Sequence, residues 1–205
     1  MKKGLLILTL TMLTYICAAG KTRTYDIPRF TYGVEWSYVE TAFCGHHNYF
    51  ISPEGYRVEQ KEVKGTHIPN GEVSIHAGYN LNPFWNLSVR LGYTGIGDMH
   101  PGMPATLRLT RFFGKDYLSD RWFAYGEAGS GISIKENIQE LIAGRIGAGY
   151  RVSLSKYTKL DILASIRYMQ THPDIEYYGE KIRRISVSHN VGRTISATLG
   201  IGLTF

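Results

Sequence analysis

The chain has 205 residues, with 23 lysines and arginines against 17 aspartates and glutamates, for a formal net charge of +6. That is one domain's worth of chain with a mild basic balance and no block of like charge, so nothing in it points to a nucleic-acid partner. No stretch after residue 20 holds about 18 consecutive apolar residues, which excludes helical spanning and leaves a closed barrel as the one way this chain could cross a bilayer.

Lys2 and Lys3 precede an apolar stretch from Leu5 to Ile16, and Cys17-Ala18-Ala19-Gly20 supplies small residues for cleavage. Residues 1–20 therefore read as a secretory signal peptide and 21–205 as the mature domain. Cys17 raises the alternative of a lipoprotein, but Tyr15 and Ile16 are bulky where a lipoprotein signal places small residues. Cleavage leaves Cys44 as the one cysteine, so no intramolecular disulfide is expected.

Alternating segments then recur in chain order, each predicting a strand with one apolar face. The first sets Phe30, Tyr32, Val34, Trp36 and Tyr38 against Thr31, Gly33, Glu35 and Ser37. In the second, Val73, Ile75, Ala77, Tyr79 and Leu81 oppose Ser74, His76, Gly78 and Asn80. Leu87 to Tyr93 carries Arg90 on its polar face, and Ala105 to Thr110 carries Arg108. The segment Trp122 to Ile132 is ambiguous, because Phe123 and Tyr125 suggest an outward face that Glu127 shares. Ile142 to Val152 places Arg145 and Arg151 on the polar face, and Leu160 to Tyr168 places Asp161 and Arg167 there. Arg193 to Phe205 alternates throughout, with Leu199, Ile201, Leu203 and Phe205 on the apolar side.

The predicted fold is all-β: a closed, antiparallel, up-and-down transmembrane barrel of about eight strands, a size at which side chains just fill the interior. Short connections at 82–86, 114–121 and 153–159 read as periplasmic turns. Longer ones at 44–69, 95–102, 131–139 and 171–192 read as extracellular loops. A soluble, lipocalin-like barrel would turn the same apolar set inward. The polar face decides against it, since its cations are arginines, whose rigid fork suits a confined ion-pair network. Glu35, His76, Arg90, Arg108, Arg145, Arg151, Asp161 and Arg167 are thus expected to form a lumen charge network, with Glu127 a further partner.

In its terminal strand and its pattern the chain resembles the small eight-stranded outer-membrane proteins of Gram-negative bacteria, of the OmpX, OmpA transmembrane domain and OmpW type. The resemblance implies an outer-membrane location and contact with its lipid and lipopolysaccharide. It also implies that Leu199, Ile201, Leu203 and Phe205 signal to the barrel-assembly machinery. It does not name an activity.

Some eight-stranded barrels are lipid A deacylases with a His-x-Ser-Asn motif. The nearest run here, Ser186-Val187-Ser188-His189-Asn190, has the wrong order, and in a regular strand Ser188 and His189 face opposite sides. Cys44, His46, His47 and Asp98 could ligate a metal, yet their spacing fits no standard motif, so neither metal nor cofactor is expected. Aromatic residues in the long loops, such as Tyr49, Tyr56 and Tyr177, suit protein contact or loop packing. The expected role is structural or interactive through the extracellular loops, with a lipid A-modifying enzyme and a narrow solute channel as alternatives.

Overall fold

The computed structural model describes residues 27–96, 100–114, 116–134, 138–172, 175–178, 180–182 and 186–205. The expected signal peptide and Asp98 lie outside them. Among the described residues ten strands form: β1 (Phe30–Ile51), β2 (Arg57–Asn82), β3 (Trp85–Ile96), β4 (His100–Phe112), β5 (Arg121–Ile134), β6 (Ile138–Ser153), β7 (Lys159–Thr171), β8 (Glu176–Tyr177), β9 (Glu180–Lys181) and β10 (Val187–Thr204). Eight of them close into an antiparallel barrel in the order β1-β10-β7-β6-β5-β4-β3-β2, while β8 and β9 pair separately.

The barrel is inside out relative to a soluble domain. Trp36, Ile75, Val89, Ile146, Ile166 and Leu199 are exposed on its outer wall, whereas Glu35, Glu72, Arg90, Arg145 and Arg167 are buried inside. Such a distribution is stable where the outer solvent is lipid. Tyr32 stacks on Phe205 with ring centroids 5.7 Å apart and Phe30 meets Tyr79 at 5.3 Å, placing aromatic pairs at the periplasmic end of the wall. The strand ambiguity at β5 resolves in favour of Glu127: Trp122 is 65% exposed and Phe123 only 3%, so Phe123, Tyr125 and Glu127 all point inward.

The largest departure from the sequence reading is at residues 44–69. They do not form a loop. β1 and β2 continue there as a paired ladder from Phe43–Gly65 to Ile51–Arg57, closed by a turn in which the Ser52 and Gly55 amides donate to Tyr56 and Ser52 carbonyls, both at 2.9 Å. Gly55, at φ 91°, occupies the left-handed region that this tight reversal needs. β10 joins from the other side, pairing Val187–Arg193 with Phe50–Gly45, so much of the predicted 171–192 loop is strand as well. The alternation that betrays a membrane strand is missing here because both faces of this sheet meet water. Bulges between Thr41 and Phe43 and their partners mark the passage from barrel wall to extension.

Candidate functional site

Two regions concentrate polar chemistry: the lumen and the extracellular extension. In the lumen, direct cross-strand neighbours already pair opposite charges, as Arg108 with Glu127, Glu127 with Arg145, and Arg151 with Asp161. Other contacts run across the bore. Arg108, on β4, donates to both oxygens of Glu35 on β1, with Nη2 2.8 Å from Oε2, and its Nε donates to Glu127 at 2.5 Å. Arg90 bridges Glu35, at 3.2 Å, and Glu72.

Glu72 is the hub. Its carboxylate accepts from Arg90, from Arg145 at 2.5 and 2.7 Å, and from Arg167 at 2.9 Å. β6 lies opposite β2 in the eight-strand ring, so the Glu72–Arg145 contact is a strut across the barrel. Arg167 also donates to Thr94 Oγ1 at 2.6 Å. Toward the periplasm, Arg151 grips Asp161 through Nε and Nη2 at 2.6 and 2.7 Å, and Thr204 donates to the same carboxylate at 3.0 Å. His76 sits between the two clusters, with Nδ1 3.5 Å from Glu35 and Nε2 3.5 Å from Thr204 Oγ1. Gly33 is needed opposite it, since a methyl group there would come within 2.6 Å of the imidazole.

Each lumen residue named from the sequence therefore points inward and takes part in these contacts. Glu72 was not named, although it shares the parity of Ser74 and His76 and lies one step before the segment read as the second strand. Nor was Arg121, which is buried at the periplasmic mouth, donates to the Pro83 carbonyl at 2.7 Å and lies 4.0 Å over the Phe112 ring.

Apolar layers flank the Glu35–Glu72–Glu127 part of the network, with the Arg151–Asp161 pair on the periplasmic side of the second. Ile96, Leu141, Ala143 and Met169 cluster on the extracellular side, and Phe112, Phe123, Tyr125 and Leu163 on the periplasmic side. Between them lie cavities of about 20 and 10 Å³, room for single waters and no more.

On the extension, Phe43, His47, Tyr49 and Ile51 continue the outer face, while Cys44, His46, Asn48 and Phe50 take the inner one. The metal candidates are thus split: His47 is on the opposite face from Cys44 and His46. Among the described residues no group of three or more histidine, cysteine and acidic side chains is placed to hold a metal ion. His47 instead contacts Glu59 at 3.2 Å and lies against His189, ring centroids 5.0 Å apart, while Tyr49 donates to Glu59 at 3.0 Å. These two contacts hold the Glu59 carboxyl below the ordinary carboxylate range. On the inner face Phe50 is buried against Tyr177 at 5.3 Å, and Tyr177 meets Tyr56 hydroxyl to hydroxyl at 3.2 Å, which packs segment 175–178 onto the sheet.

A wall apolar outside and charged inside, closed without a free edge over its membrane span, leaves one reading. The fold is that of a small membrane-spanning β-barrel. No protein-family profile matches the sequence, and no curated protein is significantly similar to it. Among solved structures the chain is similar to OprG from Pseudomonas aeruginosa, at 10% identity and a TM-score of 0.47 over 87% of this chain and 97% of that one. It is also similar to Neisserial surface protein A, at 14% identity and a TM-score of 0.44 over 86% and 97%. The N-terminal barrel domain of Pseudomonas aeruginosa OprF stands at 16% identity and 0.42 over 84% and 97%.

Proposed function

We propose that this barrel is a sealed outer-membrane anchor whose extracellular three-stranded extension is the working surface, in a structural or interaction role without catalysis. One observation carries the reading: β1 and β2 run 22 and 26 residues while β3 and β4 run 12 and 13. About ten extra residues per strand stand some 33 Å along the strand beyond the barrel wall. A fold selected for a pore or a wall alone needs no such element, and the ion-pair plug supplies no path for solutes.

The test is to exchange residues 44–69 for a short Gly/Ser connection. The barrel should still form, because the β1–β2 rungs from Phe30–Tyr79 to Val39–Asn70 and the six ladders that involve neither β1 nor residues 44–69 are untouched, and surface elements tolerate replacement. Partners captured by cross-linking on intact cells should disappear. Capture that survives the exchange would sink the interaction reading.

Lipid A chemistry is the competing class. β10 carries a bulge at Ser188, where His189 pairs with Tyr49 and Val187 with Phe50. That bulge interrupts the regular alternation expected to set Ser188 and His189 on opposite faces; both are exposed, and His189 packs on His47. Lipid A from overproducing cells should therefore be unchanged by mass spectrometry, and Ser188→Ala and His189→Ala should make no difference. Loss of an acyl chain that depends on either residue would favour the enzyme.

A further inference from the structure

β2 pairs with β1 from Arg57 to Tyr79 but with β3 only from Glu72 onward. From Arg57 to Ile68 its other edge has no ladder partner among the described residues, which leaves about a dozen residues of open strand outside the cell. An open edge is a template for another strand unless its side chains forbid it. Here the charges are ordered Arg57, Glu59, Lys61 on the outer face and Glu62, Lys64 on the inner. A random strand meets repulsion there, but the order can match itself.

Two copies joined edge to edge as one antiparallel sheet are related by a two-fold axis along the sheet normal, so one residue lies opposite itself. Centring on Glu59, Lys61 or Glu62 sets like charges face to face, and centring on Val58 pairs Arg57 with Glu59 but leaves only residues 57–59 of each β2 in the ladder. Centring on Val63 drives the Ser52–Tyr56 turn to the level of Asn70 and Gly71 of the second copy, where its barrel wall and lipid begin. Centring on Gln60 sets Glu59 opposite Lys61 twice and Gln60 opposite Gln60, with Val58 facing Glu62 and Arg57 facing Val63. Opposed pairs of unlike charge favour such a ladder and like pairs oppose it.

We propose that the protein binds a second copy of itself through the β2 edge, in the register centred on Gln60. The geometry also fixes where that copy is. The extension continues the barrel wall, so its sheet normal lies near the membrane plane. A two-fold about that direction puts the second barrel in a facing membrane. In one membrane the two β2 strands would run the same way and could not pair antiparallel. About eleven residues on each side separate the pairing centre from the rims, a gap of about 50 Å once strand tilt is included. The inference rests on the extension being the working surface and names its partner.

The experiment uses the full mature chain reconstituted in phosphatidylcholine–phosphatidylglycerol vesicles, with clustering followed by light scattering. Wild-type vesicles should cluster. Glu59→Lys and Lys61→Glu should each reduce clustering at least about tenfold, because like charges then face each other twice. Mixing vesicles bearing Glu59→Lys with vesicles bearing Lys61→Glu should restore it, since each edge then supplies the charges the other lacks at both 59–61 pairs, and the register itself is read by the cysteine cross-link below. A shift on heating, read on a gel, verifies that each variant is folded. As a second readout independent of charge, Gln60→Cys in a Cys44→Ser background should join two copies by a disulfide under oxidation. Wild-type vesicles that stay dispersed, single variants that cluster as wild type, or a mixture no better than its components would overturn the proposal. None of these failures touches the loop-exchange experiment, which reads any partner on intact cells, so the broader reading stands or falls separately.

Discussion

The lumen and the extension carry the same ion-pair chemistry in opposite surroundings. Glu72 is buried among Arg90, Arg145 and Arg167, out of reach of bulk water. Glu62 contacts Lys64 at 2.6 Å, shorter than several lumen pairs, yet both side chains are more than half exposed. Distance alone would rank the second contact with the first, but desolvation separates them. In the lumen a removed partner leaves a charge stranded in a low-dielectric site, while on the extension water takes its place. One region is thus built to hold shape, and the other to keep its charges available.

The comparison breaks most visibly at Glu72. Glu72→Gln takes from three guanidinium groups the carboxylate they share and should destabilise the barrel by roughly 3–5 kcal/mol, the cost of breaking a buried ion pair. Urea unfolding in lipid vesicles measures it, and Glu35→Gln should follow with a similar loss. A change under about 1 kcal/mol for both would mean that lumen water screens the network. The same packing predicts that planar-bilayer recordings of the wild-type protein show no steady conductance. A large, stable open current would contradict the sealed anchor.

A smaller effect is expected on the lipid face. Leu203 points outward near the periplasmic end of β10, opposite Val34 on β1. Leu203→Asp places an acid against lipid, at a cost below the roughly 2–4 kcal/mol of a midplane lysine or arginine. Outer-membrane levels should fall, and more so when Phe205 is also deleted, since its ring stacks on Tyr32. Normal levels of the double variant would remove the terminal strand from the list of assembly signals.

Much of the barrel was legible in the sequence, because lipid outside and charge inside impose a strict two-residue period. That period yielded eight segments and put Arg90, Arg108, Arg145, Arg151 and Arg167 on one face. It faltered where the physics changed. At β5 the inward face carries Phe123 and Tyr125, rings that pack the lumen floor, so hydrophobicity pointed the wrong way and only Glu127 told the truth. Glu72 lay just before Val73, the first apolar residue of its segment, yet five arginines facing Glu35, Asp161 and Glu127 already called for another carboxylate. The extension was illegible for a different reason. With water on both faces, Arg57-Val58-Glu59-Gln60-Lys61-Glu62 has no period to detect, and its strand character comes from pairing with β1 and β10.

The smallest predicted effects lie on that extension and complete the contrast. Glu62→Gln should leave the urea unfolding midpoint unmoved, as loss of an exposed pair does. Glu59 offers a finer probe, because it is exposed yet held by His47 and Tyr49. Its carboxyl is lowered from the ordinary value of 4.5 first by the His47 contact and then by the Tyr49 hydroxyl. A carboxyl lowered in the folded state adds stability above its unfolded value, and that contribution is lost as pH falls through the folded value. By NMR, Glu59 should titrate with a midpoint below 4.5, and His47→Ala should move it upward while leaving the barrel strands unshifted. A wild-type midpoint at or above the ordinary value would show that the His47–Glu59–Tyr49 cluster is open in solution, and that Glu59 faces the edge without a partner of its own.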